Sequence, residues 1–151
     1  MALDDDIRIL SGVGLFAELS AEQLRLLAFG AESVRFRAGQ EIFREGAQAD
    51  CAFVVTSGRV VLYRDHDGEA VAVSRLEAGS IIGELALIAP TTRLTYAAAE
   101  TDVQLIRLNR TLFRRILEEY PEAAAHLHQR MSADLHEFLK KIERIAPKFS
   151  E

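Results

Sequence analysis

What this sequence lacks removes several classes of function. Cys51 is the single cysteine, so no internal disulfide forms. It reads as a small apolar strand residue in a protein of the reducing cytoplasm. No stretch approaches the roughly 18 apolar residues of a membrane span. Met1 to Ile9 carries Asp4, Asp5 and Asp6 where a signal peptide would carry its apolar core. Positive charge is also short: 18 Lys and Arg stand against 23 Asp and Glu, a formal net charge of -5. Binding to nucleic acid draws most of its affinity from cations on phosphates, so no nucleic-acid partner is expected. The balance leaves room for one small anion in a local pocket.

Catalytic and metal frames are missing too. His126 and His128 are two apart on a predicted helix and point to different faces. With His66 and His136 they form no metal-ligand spacing, and no strand carries the His pair of a metal-binding barrel. Ser, His and Asp are present without a nucleophile elbow. No catalytic residue, no metal and no enzyme are expected. Lys140-Lys141-Ile142-Glu143-Arg144 reads as a solvated helix face.

What is present fits one α+β domain over 1–151, with 49% apolar residues to build its core. The first zone, 4–30, is helical. Ser20 and Gln23 fit a capping box, Leu24, Leu27 and Ala28 give an apolar stripe, and Gly30 ends it. The second zone, 33–108, alternates short strands with glycine turns, and Asp67-Gly68 is its strongest hairpin signal. Such a pattern predicts a sandwich or barrel. The third zone, 111–146, is helical again. Thr111 to Tyr120 forms one helix, and Pro121 opens another that stops near Ile145, before Pro147. On it Leu127, Met131, Leu135, Phe138, Ile142 and Ile145 recur at close to the 3.5-residue period of a coiled-coil seam. That stripe packs either on its own strands or on a second copy in a parallel homodimer.

One segment breaks the strand pattern. Gly83-Glu84-Leu85-Ala86-Leu87-Ile88 favours a helix, but Pro90 stops it after about one turn. A glycine-opened turn exposes its first N–H groups to an anion. Arg93 follows where a loop returns it to the same point, and arginine suits phosphate oxygens. A carboxylate with an arginine suits a sugar phosphate: Glu84 accepts from a hydroxyl and Arg93 takes the phosphate.

The context of that segment resembles a known family. Leu15-Phe16-Ala17-Glu18-Leu19-Ser20, the run from Ala38 to Gly46, the run from Phe53 to Val60, and the run from Leu76 to Leu87 are similar, in order, to motifs of the cyclic-nucleotide-binding domains. These include catabolite activator proteins and regulatory subunits of protein kinase A. The resemblance spans Leu15 to Leu108. It implies a jelly-roll-like β-roll, a double-stranded β-helix, flanked by helices, with a phosphate-binding cassette at 83–95. It implies that backbone N–H groups at Gly83, Leu85 and Ala86 hold the cyclic phosphate with Arg93, and that Glu84 holds the ribose 2′-hydroxyl. The cassette departs from the pattern after the arginine. Leu94 and Tyr96 are bulky there, and Thr95 offers a hydroxyl.

The same resemblance implies a sensor for cAMP or cGMP that needs no other cofactor and signals through its C-terminal helices to an effector protein. His128, Met131, Ser132 and Leu135 are candidates to cover the base. The alternative is a cassette without ligand, acting as a dimerising scaffold. DNA-binding relatives carry a helix-turn-helix after the long helix, and none is expected before Glu151.

Overall fold

Two helical signals open the chain. α1 (Ala2–Ser11) and a 3-10 turn at Gly14–Phe16 lead to α2 (Ala21–Phe29). Ser20 Oγ accepts from the Gln23 N–H at 3.2 Å, while Gln23 Oε1 accepts from the Ser20 N–H at 2.9 Å. This reciprocal capping box satisfies donors that the first turn leaves free. The computed structural model describes the backbone of residues 2–17 and 19–149, and the side chains of all of these but 2, 3, 123, 124 and 144–149. Glu18 of the opening motif, and the side chain of Ile145, lie outside the described residues.

The strands are β1 (Glu32–Phe36), β2 (Glu41–Phe43), β3 (Gln48–Ala49), β4 (Cys51–Ser57), β5 (Val60–His66), β6 (Glu69–Leu76), β7 (Ile81–Ile82), β8 (Thr91–Thr92), β9 (Tyr96–Ala99) and β10 (Val103–Asn109). They pair antiparallel in two four-stranded sheets, β1-β10-β4-β7 and β2-β9-β5-β6, and a separate short β3-β8 ladder. The result is a β-roll of jelly-roll type. Asp67 and Gly68 turn β5 into β6, both at positive φ (52° and 87°), as a type I′ hairpin requires.

α3 (Arg110–Glu119) and α4 (Pro121–Phe149) close the chain. α4 runs past the expected stop near Ile145 and through Pro147. Proline removes one helical donor, and this one falls in the last turn, where few bonds depend on it.

β4 explains where the core lies. Ala52 and Val54 face a helical core with Leu27, Phe113, Leu127 and Met131. Cys51, Phe53 and Val55 face the interior of the roll with Leu62, Ala97 and Leu105. Burial on both faces is why Cys51 to Val55 reads as an unbroken apolar run. Leu127 and Met131, each 1% exposed, are buried in the chain's own core. Phe138 packs against the roll interior. The first half of the expected seam is therefore used within the chain, and it offers no knobs to a second copy. No helix among the described residues is long and apolar enough to cross a membrane.

Candidate functional site

The site is built where β7 runs out. Gly83 takes a left-handed conformation (φ 72°, ψ 36°) and caps a 3-10 turn at Glu84–Leu87. A side chain would be strained there, and a Cβ would also collide with Nη1 of Arg93. Glu84 and Leu85 stand first in the turn, where N–H groups have no carbonyl one turn back. The Ala86 N–H is already used, donating to Gly83 O at 3.1 Å. The turn is pinned from below by Arg110, the first residue of α3. Its Nε donates to Ala86 O and its Nη2 to Ala49 O, each at 2.7 Å.

Arg93 is framed first by its own backbone. Its N–H donates to Ala47 O at 2.9 Å, and its carbonyl accepts from the Gly46 N–H at 2.8 Å. The side chain points inward and the residue is 7% exposed. Nη2 donates to Cys51 O at 2.9 Å. The guanidinium carbon lies 4.3 Å from the Phe43 ring centre and 5.8 Å from that of Phe53, within cation–π range. Nε and Nη1 are buried with no hydrogen-bond partner. Burial pushes the Arg93 pKa down, with Cys51 and Asp50 opposing; an arginine nevertheless keeps its charge. A buried cation with two unused donors is costly unless an anion completes it.

Beside it opens a cavity of about 310 Å³. Gly83, Glu84 and Arg93 form one end, and Leu62, Leu76 and Ile82 form an apolar wall. α4 roofs it with Asp134, Leu135, Glu137, Phe138 and Lys141. Glu84 Oε2 is buried without a partner. Burial first, and Asp134 second, push the Glu84 pKa up to about 8, while Arg130 opposes.

The structure brings most of the residues singled out in the sequence to this cavity. Gly83, Glu84, Leu85, Arg93, Leu94 and Thr95 line it. Ala86 does not; it is fully buried beneath the turn. Tyr96 does not obstruct the cavity: its ring stacks on Tyr63 at 5.1 Å between centres.

Of the four base-cover candidates, only Leu135 lines the cavity. Met131 falls one turn early, over the helical core. His128 and Ser132 are exposed. Asp134, Leu135, Phe138 and Lys141 share the cavity face; Ser132 is turned away from it, and His128, seven residues before Leu135 on nearly the same side, falls two turns short of it along the helix. Sequence reasoning missed Phe43, Phe53, Asp134 and Arg110. The two phenylalanines lie inside the family-like runs Ala38 to Gly46 and Phe53 to Val60 and read there as ordinary strand residues. Nothing near Arg110 or Asp134 in the sequence marks them, because their partners are remote.

Residues 33–120 match the family model of the cyclic nucleotide-binding domain. The chain belongs to that family. A cyclic nucleotide-binding-like protein from Brucella abortus is 54% identical, covering 76% of this chain and 99% of that one, with a TM-score of 0.70. The regulatory subunit of cAMP-dependent protein kinase from Mucor circinelloides is 32% identical over 72% of this chain. A cGMP-dependent protein kinase from Caenorhabditis briggsae is 36% identical over 67% of it. The chain spans 25% and 13% of the lengths of those two kinase proteins. Cyclic nucleotide-binding domains of this family serve as regulatory modules, within enzymes as well as outside them.

Proposed function

We propose that this domain binds a cyclic nucleoside monophosphate, cAMP or cGMP, and passes occupancy to an effector protein through α4. The observation that carries this is the Arg93 guanidinium, buried beside a nucleotide-sized cavity with Nε and Nη1 unpartnered. An anion at the cavity end near Gly83 would take those donors and the first N–H groups of the 3-10 turn. A cyclic phosphate has the charge and the oxygens for this, and Glu84 lies within the same cavity for a sugar hydroxyl. The apolar wall of Leu62, Leu76 and Ile82 suits the face of a base. The two kinase relatives take their names from cAMP and cGMP, which supports both as candidate ligands. The domain acts as one unit in the cytoplasm, without catalysis of its own.

Calorimetric titration with cAMP and cGMP tests this. At least one is expected to bind, and Arg93→Ala is expected to weaken binding more than tenfold, since a hydrogen bond to a charged group is worth about 1.5–3 kcal/mol. An Arg93→Ala protein that binds like wild type would show that the phosphate lies elsewhere. No heat with either ligand would favour the ligand-free scaffold.

A further inference from the structure

Glu84 faces a conflict across the cavity. Its carboxyl and that of Asp134 on α4 line the same cavity, where the 3-10 turn at Glu84–Leu87 packs against α4. Both are acceptors when ionised, and Glu84 Oε2 has no partner. Two ionised carboxylates in contact repel, and burial strips away the water that would screen them. One proton between them removes the conflict, because a carboxyl O–H donates a strong bond to a facing carboxylate.

The surrounding charges leave that pairing in place. Arg130, on α4, lies against Gly14 and 3.6 Å from Asp134. Glu137 and Lys141 line the cavity from α4. Arg93 lies against Gly83, and Arg110 is occupied beneath the turn with Ala86 O. Burial and Asp134 hold the Glu84 pKa at about 8, so Glu84 carries the proton at neutral pH.

We propose that Asp134 is a positioning residue of the sugar subsite: it holds the protonated Glu84 against α4 in the empty domain, and a ligand hydroxyl replaces it there with release of one proton. This rests on the cyclic-nucleotide reading of the site. The step balances simply. The hydroxyl donates to Glu84, the Glu84 proton leaves to solvent, and only hydrogen bonds are exchanged. Ligand binding thereby frees the α4 contact at Asp134, linking occupancy to the helix. A nucleotide without the sugar hydroxyl cannot make the exchange.

Two measurements test this. The first is a carbon NMR titration of the Glu84 carboxyl in the ligand-free protein. The midpoint is expected near 8 in wild type and more than about one pH unit lower in Asp134→Asn. An unmoved midpoint overturns the pair. The second is calorimetry with cAMP, cGMP and 2′-deoxy-cAMP, in buffers of different protonation heat. Affinity for the better ribonucleotide is expected to increase about tenfold per unit as pH is raised toward 8 and to level off above it, with up to about one proton released. The deoxy analogue should show a flat profile, and Asp134→Asn a shallower one than wild type. Binding of a ribonucleotide with no proton release overturns this proposal and leaves the functional reading standing. Failure of both ribonucleotides to bind at any pH overturns that reading, and the displacement step with it.

Discussion

The two walls of the cavity are held in different ways. The roll wall is fixed by backbone. Arg93 is tied through its own N–H and carbonyl to 46–47, and Arg110 clamps the turn under Glu84 to Ala49. The α4 wall is anchored at one end. Leu127 and Met131 are buried in the helical core, whereas Leu135 and Phe138 are only half-buried over the cavity and Leu139 is exposed. A ligand shifts only an equilibrium whose two states it contacts unequally. The roll wall is therefore suited to recognition, and the far part of α4 to response.

The most severe way to break this contrast is to cut the anchor. Met131→Ala is expected to cost about 2–5 kcal/mol of stability, as large-to-small core changes do. Leu135→Ala should cost much less, because its site is half open. Denaturant unfolding of both variants measures the difference, and equal costs would erase the distinction between the two halves of α4.

Glu84 gives the next effect, through pH. Its pKa is about 8 in the folded protein against an ordinary 4.5. Between those values the folded state keeps a proton that the unfolded chain has lost. The contribution of this group is thus complete below the unfolded value and is lost as pH rises through the folded one. The slope is about 1.4 kcal/mol per pH unit across that window. Thermal melts from acid to pH 8 should show it, and Glu84→Gln should flatten it. A wild-type melting profile that matches Glu84→Gln throughout would contradict the raised pKa.

Arg93 offers a smaller effect with opposite signs in two assays. An apolar side chain of similar size avoids the desolvation cost of leaving a buried donor unsatisfied, about 1–3 kcal/mol. Arg93→Met should sit at the lower end, because it also loses the bond to Cys51 O and the contact with Phe43. The same variant should bind nucleotide more than tenfold less tightly. A destabilised Arg93→Met would mean that the arginine serves the fold rather than a ligand.

The roll wall was far more legible in sequence than the helix wall. Gly83, Glu84 and Arg93 lie within eleven residues, and their spacing already suggested a turn and a returning arginine. The capping box at Ser20 and the hairpin at Asp67-Gly68 were legible for the same reason: each is a local signal with a local cause. α4 gave its period but not its partner. Its apolar stripe satisfied both a coiled-coil seam and a core helix, and the choice depended on where the roll ended. Met131 and Leu135 look alike in sequence, yet one covers the helical core and the other the cavity. Phe43 and Phe53 read as strand residues because Arg93 reaches them only after β2, β4 and the cassette are assembled.

The smallest effect should appear in hydrogen exchange along α4. Leu127 and Met131 already hold the first part of the helix in the core, so amides from about 122 to 131 have little protection to gain. The part from Asp134 to Ile142 borders the cavity and lacks a comparable anchor. A base beneath Leu135 and Phe138 would add apolar contact there and exclude water. Saturating cyclic nucleotide is expected to slow exchange in that distal part by about tenfold or less, equivalent to about 1.4 kcal/mol at most. The gradient matters more than the amount. Slowing confined to the anchored part would place the response in the helical core instead, and slowing along the whole helix would mean that α4 moves as one body.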